Sequence, residues 1–234
     1  MSQREVVVLS AVRSAIGTFG GSLSNIEPPE LAAAVMKEAV ARSGADPKLI
    51  NYITVGHTIP TDSRYAYVAR VASIQAGLPM DSVAMAVNRL CSSGLQAIVS
   101  TAQNILLGDC DFGVGGGVEV MSRGAYLLPQ LRNGARMGDA KALDSMVAVL
   151  TDPFGVGHMG ITAENLATKW NITREDQDRF AVESHRRAAL AIAEGRFTSQ
   201  IVPIVQQTKK GEVRFDTDEH VKAGTTLESL AKLK

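Results

Sequence analysis

Cysteine is scarce in this sequence: Cys91 and Cys110 are the only two among 234 residues. Two thiols are too few for a disulfide scaffold and suit a reducing compartment. Excess charge is absent as well. The 24 Lys and Arg residues match 24 Asp and Glu, so no global field draws the chain toward nucleic acid or an anionic membrane. An anionic ligand has to be met by local basic residues. No apolar run approaches membrane-spanning length. The N-terminus, Met1 to Ser10, lacks both the apolar span of a signal peptide and the Arg- and Ser-rich, acid-poor bias of a transit peptide. These absences predict a cytoplasmic protein with neither nucleic acid nor membrane among its partners. His57, His158, His185 and His220 show no paired metal-ligand spacing, so no metal site is expected.

What is present is the composition of a globular chain. With 45% hydrophobic and 21% charged residues, it can bury a core, and its length suits one large or two modest domains. Glu5 to Val12 reads as a strand with apolar residues on both faces, as in a sheet covered on two sides. Pro28 and Pro29 fit a helix opening; Leu31, Ala34, Val35, Met36, Ala39 and Val40 carry that helix, and Gly44 closes it. A strand over 50–56 ends in His57, a short helix spans Ala66 to Ala76, and a strand over 83–87 leads into a helix over 91–107. A further strand runs from Cys110 to about Val118. Strand alternating with helix predicts α/β layers around a mainly parallel sheet. In such sheets ligands gather at the carboxyl ends of the strands.

The composition shifts after Glu119. Glycine and proline break every periodic segment from 121 to 161, the mark of a lid, a binding element or a disordered segment. Thr162 fits the cap of a short helix through Trp170. Thr173-Arg-Glu-Asp176 fits the capping box of a longer helix ended by Gly195. Ile201 to Val205 and Val213 to Phe215 read as edge strands around the turn Lys209-Lys-Gly211, with no closing strand or helix at Ala231 to Lys234. The domain division expected is 1–120 and 121–234.

The stretch that organises the chain is Val83 to Ile98. A strand passes through the turn Asn88-Arg-Leu90 into a helix that begins Cys91-Ser-Ser-Gly94. Leu95, Ile98, Val99, Ala102, Ile105 and Leu106 recur at helical spacing, the stripe of a buried amphipathic helix. A cysteine at such a junction sits where unpaired N–H groups and the helix dipole favour a thiolate. A small buried hydrophobe is an equally good account of Cys91 from position alone. Gly113-Val-Gly-Gly-Gly-Val118 fails the dinucleotide fingerprint, because its third glycine would fall on Val118 and no helix opens there. A strand whose missing side chains admit a neighbouring backbone fits better. His185 reads as part of a solvated helix face, His220 as part of a charged loop, and His158 as a turn residue first and a site residue second. Lys209, Lys210, Arg214 and Lys222 form a basic set able to meet a phosphate, although a bare charge run of this kind is more often surface.

Several motifs stand in one order: Asn88-Arg-Leu-Cys-Ser-Ser-Gly-Leu-Gln-Ala97, Gly115-Gly-Gly-Val-Glu-Val-Met-Ser122, Gly134-Ala-Arg-Met-Gly-Asp139, His158-Met-Gly-Ile-Thr-Ala-Glu-Asn165 and Glu183-Ser-His-Arg-Arg-Ala188. Together they resemble the thiolases, specifically the acetyl-CoA acetyltransferase (β-ketothiolase) group, with agreement from Arg4 to Lys234. The resemblance implies a layered α/β domain over 1–120, lacking its last strand, and an incomplete loop domain for coenzyme A over 121–234. It implies that Cys91 takes the acyl group as a thioester and that its N–H helps form an oxyanion hole. Leu150, His158, Met159, Lys222 and Ser229 would bind coenzyme A, which is a substrate; no cofactor or metal is implied.

The implied reaction condenses two acetyl-CoA into acetoacetyl-CoA and free coenzyme A, or runs the reverse thiolysis, in a homodimer or homotetramer. Three residues depart from the pattern: Lys222 where arginine is usual, Ser92 where glycine is usual, and Val120 where serine is usual. The chain matches roughly the first three-fifths of the family pattern. The resemblance places the base histidine and a second cysteine in the C-terminal α/β domain, which is absent, so a catalytically incomplete chain is expected. Two other readings compete. One is a ketoacyl-synthase-type condensing enzyme, against which His158-Met-Gly160 argues; the other is a non-catalytic binding or assembly protein of the same fold.

Overall fold

The computed structural model describes residues 4–209 and 211–233. Its centre is a parallel sheet of three strands in the order β3-β2-β4: β2 is Tyr52–Gly56, β3 Val83–Val87 and β4 Gly113–Gly117. Residues of β2 alternate between two covered faces. Ile53 and Val55 join the core cluster with Leu31, Met36 and Val40 of helix α1 (Pro28–Ser43) and Val68, Ala69 and Ala72 of helix α2 (Val68–Gln75). On the opposite face the Thr54 hydroxyl accepts at 3.1 Å from Thr101 of helix α3 (Ser93–Leu107). The result is helix, sheet and helix in three layers. Helix α1 ends as expected in a left-handed Gly44, although it buries Ala33 and exposes Ala34.

Helix α3 corrects the sequence reading. It starts at Ser93, with Cys91 outside it, and of its residues only Ser93, Ala97 and Thr101 are buried. The stripe of Leu95, Ile98, Val99 and Leu106 is exposed, Leu95 by 65%. Periodicity locates an apolar stripe but does not say which face a neighbour covers. Here the small residues meet the sheet because β4 is nearly all glycine. A Cβ on Gly115 would lie 2.8 Å from the Ile98 Cα, and one on Gly56 would lie 2.4 Å from the Ser93 carbonyl carbon. The bare strand of the sequence reading is therefore present and serves close backbone approach. It begins at Gly113; Cys110 lies in the turn before it.

Residues 4–12 form no strand, contrary to the run expected over Glu5 to Val12. Val8 is 76% exposed, and no strand among the described residues pairs with this segment. A run apolar on both faces needs cover on both, which it does not find. Only Arg13–Ser14 is a strand (β1), parallel to β7 at Ile201–Val202.

Between 121 and 161 the structure finds short elements that the glycines and prolines concealed. These are an antiparallel pair, β5 (Tyr126–Leu127) with β6 (Leu143–Asp144), and helix α4 (Ser145–Val149) capped by Asp144. Helix α5 (Met159–Trp170) is capped by His158, four residues earlier than the Thr162 start expected from the sequence. Helix α6 (Arg174–Ala193) opens with the expected Thr173–Asp176 capping box. Strands β8 (Ile204–Thr208) and β9 (Gly211–Phe215) pair antiparallel; Lys210 of the expected turn and basic set lies outside the described residues. A short helix α7 (Leu227–Leu230), not foreseen from the sequence, ends just before Ala231. Ile201, Ile204 and Phe215 join the same core cluster as α1 and β2, so residues on both sides of position 120 share one core. No helix among the described residues is long and apolar enough to cross a membrane.

Candidate active site

Cys91 lies in the turn between the carboxyl end of β3 and the start of α3, with its side chain exposed. The residue before it, Leu90, has φ 52°. A branched apolar residue in the left-handed region is strained by about 1–3 kcal/mol, and the surrounding structure has to hold it there. The holding contacts are explicit. Asn88 Oδ1 accepts from the Leu90 N–H at 3.0 Å. The Ser93 hydroxyl accepts from the Arg89 N–H at 2.8 Å and donates to the Leu90 carbonyl at 2.6 Å. The Thr58 hydroxyl stands 3.3 Å from that carbonyl and 3.2 Å from the Ser93 hydroxyl.

Thr58 is itself anchored from below. Glu119, two residues past β4, accepts the Thr58 N–H at 2.9 Å with one carboxylate oxygen and the Ile59 N–H at 3.1 Å with the other. The second oxygen also lies 3.1 Å from His57 Nδ1, in a side chain only 3% exposed. His57 Nδ1 is also 3.0 Å from the Val118 carbonyl. Both neighbours of Nδ1 are acceptors, so the hydrogen-bond network assigns it a proton in either charge state. Nε2 is buried without a partner among the described residues. Burial is the largest influence on His57 and disfavours its charge. The Glu119 hydrogen bond, the Val118 carbonyl and the negative charges of Glu119 and Asp62 outweigh it, raising the pKa above the ordinary imidazole value.

The remaining sequence-predicted residues fall into two groups. Leu150 and Met159 meet directly, the Met159 N–H donating to the Leu150 carbonyl at 2.8 Å. His158 bridges to Thr151, and its Nδ1 accepts from the Gly160 N–H at 3.1 Å. These residues close a tight loop in which Asp152 accepts from the Phe154 and Val156 N–H groups. In the second group Ser229 lies in the first turn of α7, its hydroxyl accepting from the Thr226 N–H at 3.0 Å. The Lys222 N–H donates to His185 Nδ1 at 3.2 Å, so His185 is more than a solvated face. No hydrogen bond or ion pair among the described residues joins either group to Cys91.

Cys110 is buried, and its thiol pKa is pushed up by burial and by Asp109 and Asp111, which disfavours its thiolate. Sequence reasoning missed His57, Thr58 and Glu119. The only local signal was that His57 and Glu119 each follow the end of a neighbouring parallel strand.

The fold defines an α/β domain with an exposed thiol on a strained turn at the carboxyl edge of its parallel sheet. Comparison with known proteins narrows this. Residues 6–234 match the family described as thiolase, N-terminal domain, and the chain belongs to that family. It is 53% identical to the beta-ketothiolase BktB of Cupriavidus necator, over 99% of this chain and 59% of that protein. It is 47% identical to an acetyl-CoA acetyltransferase of Pseudomonas aeruginosa, with the same coverage. Among solved structures, an acetyl-CoA acetyltransferase of Bacillus anthracis superposes with TM-score 0.93 at 45% identity, over 99% of this chain and 59% of that one. A human mitochondrial 3-ketoacyl-CoA thiolase in complex with CoA superposes with TM-score 0.90 at 34% identity, over 97% of this chain and 56% of that one. The chain thus spans somewhat under two thirds of the length of the relatives it matches.

Proposed function

We propose that the chain carries the nucleophile-bearing part of an acetyl-CoA C-acetyltransferase. The observation that carries the reading is Cys91, exposed at the held Leu90 turn in a chain whose relatives bear that name. Cys91 Sγ attacks the carbonyl carbon of acetyl-CoA, the carbon–sulfur bond to coenzyme A breaks, and the thioester stays on Cys91. The Cys91 N–H helps to bind the oxyanion formed on the way. A second acetyl-CoA, having lost an α-proton, then attacks the Cys91 thioester to give acetoacetyl-CoA and release the thiolate. Thiolysis is the same path reversed.

Residues 1–120 supply the nucleophile and 121–234 the coenzyme A contacts: Leu150, His158 and Met159 toward the pantetheine and acyl end, Ser229 near it, and Lys222 toward the nucleotide. Coenzyme A is a substrate and the scheme needs no cofactor. The exposed edge strand β3 and the exposed apolar face of α3 support a homodimer or homotetramer, and the compartment proposed is the cytoplasm.

Acylation tests the reading directly. At alkaline pH, where thiolate forms without a base, incubation with acetyl-CoA is expected to place one acetyl group on Cys91 by peptide mass. A Cys91 that iodoacetamide alkylates but acetyl-CoA never acylates would overturn it. The chain by itself is expected to consume acetoacetyl-CoA with coenzyme A no faster than background; turnover near that of a full-length thiolase would remove the claim that it is incomplete.

A further inference from the structure

Glu119 belongs to none of the coenzyme A contacts, yet its carboxylate sits beneath the Cys91 turn. Its two oxygens accept the Thr58 and Ile59 N–H groups at 2.9 and 3.1 Å, and the second also lies 3.1 Å from His57 Nδ1. Those donors belong to the segment leaving β2, whereas Glu119 belongs to the segment leaving β4. Two strand ends are thereby tied by a group that only a carboxylate can be. An amide in its place has one acceptor oxygen, and its NH2 would face either the Thr58 or the Ile59 N–H whichever way it turned. The tie reaches the nucleophile through Thr58, whose hydroxyl meets the Leu90 carbonyl and Ser93 and whose carbonyl receives a long contact from Asn88 Nδ2 at 3.5 Å. Leu90 is the strained residue. Without a fixed Thr58, the left-handed conformation before Cys91 loses one of the contacts that hold it.

We infer that Glu119 is a positioning residue for acylation of Cys91: it fixes Thr58, and Thr58 fixes the Leu90 turn that aims the Cys91 sulfur and N–H. The inference rests on the reading of Cys91 as the acyl acceptor. It separates two kinds of chemistry at one sulfur. Alkylation by iodoacetamide needs a thiolate and access. Acylation passes through a tetrahedral oxyanion and also needs the N–H correctly aimed. Displacement of a reacting group by about 1 Å costs on the order of 10²-fold, so Glu119→Gln and Thr58→Val should slow acetylation by about tenfold or more.

The test measures both rates on Cys91 in the full 234-residue chain at a pH where the thiolate predominates, using p-nitrophenyl acetate as acetyl donor. Cys91→Ala supplies the background, and protection of buried Cys110 reports folding. Glu119→Gln and Thr58→Val are expected to lower acetylation by about tenfold while alkylation changes less than about twofold. Thr58→Ser, which keeps the hydroxyl, is expected to restore acetylation. The double variant Glu119→Gln/Thr58→Val is expected to be no slower than the worse single one, because both act on the same turn. Acetylation unchanged in both variants, or acetylation and alkylation falling together, would overturn the inference while leaving Cys91 as nucleophile. A wild-type Cys91 that is alkylated but not acetylated would instead overturn the reading on which the inference rests.

Discussion

The Cys91 turn and the segments proposed to hold coenzyme A are built by different means. The turn is fixed from beneath, by a buried imidazole, a carboxylate and backbones in contact where glycines leave no side chain. Leu150, His158 and Met159 rest on a local loop, and α5 and α6 bury none of their residues. Lys222 and Ser229 follow a clamp made of charge. Asp218 pairs with both Nη atoms of Arg13 at 2.8 and 3.0 Å, and Glu219 accepts from Thr18 and Ser22. On the proposed function the difference follows the demands of chemistry. A nucleophile has to be aimed to a fraction of an ångström, whereas a long flexible substrate tolerates a looser cradle assembled from caps and ion pairs.

The largest way to break the comparison is to add a methyl group on the rigid side. Gly56→Ala puts a Cβ against the Ser93 and Gly94 backbone, and urea unfolding is expected to show a loss of about 3 kcal/mol. Gly116→Ala, whose Cβ meets nothing within 4 Å, is the matched control and is expected to change stability by less than about 1 kcal/mol.

On the softer side, Asp218→Asn removes a charge-assisted pairing with Arg13 and weakens acceptance of the Ile16 N–H. A cost of about 2 kcal/mol is expected in the same measurement. Thr173→Ala deletes half of the α6 capping box; a cost of about 1 kcal/mol is expected, seen as faster amide exchange confined to the first turn of α6.

The smallest effect is a pH dependence. Hydrogen bonds from the Ser22 hydroxyl and the Thr18 N–H hold the Glu219 carboxyl at about 2, below the ordinary 4.5. The folded value is depressed, so its contribution is complete above about 4.5 and is lost as pH falls toward 2. Thr18 and Ser22 amides should lose exchange protection across that interval. His57 has the opposite sign: its raised pKa gives a contribution that is full below the ordinary imidazole value and fades as pH rises through the folded one. Loss of Thr58 protection on acidification rather than alkalinisation would contradict that sign.

The alternation of strand and helix, the turn bearing Cys91 and the α6 capping box were all legible, because each is written in residues close together in sequence. Glu119 was not. Its partners Thr58 and Ile59 lie 61 and 60 positions away, and a single acid after a strand has no periodicity to betray it. The buried face of α3 was misread for a related reason. Leu95 and Ile98 form the stronger stripe, but the partner surface is the bare strand β4, and only small residues such as Ala97 can approach it. Read together, the glycine run and the Ser93, Ala97, Thr101 spacing would have given the correct face. At His158 a residue of low capping preference took the helix start from Thr162, because the tight loop before it delivers the chain to that point.

The bare strand β4 has a consequence for motion. A strand of Gly113, Val114 and three further glycines has almost no side chains with which to hold its own place, so its order depends on the backbone of α3 lying against it. Helix and strand are then expected to open and close as one cooperative unit in hydrogen exchange, neither detaching without the other. Cys91 lies two residues ahead of that unit, so the Leu90 turn is the part of its support that can shift while helix and strand stay closed.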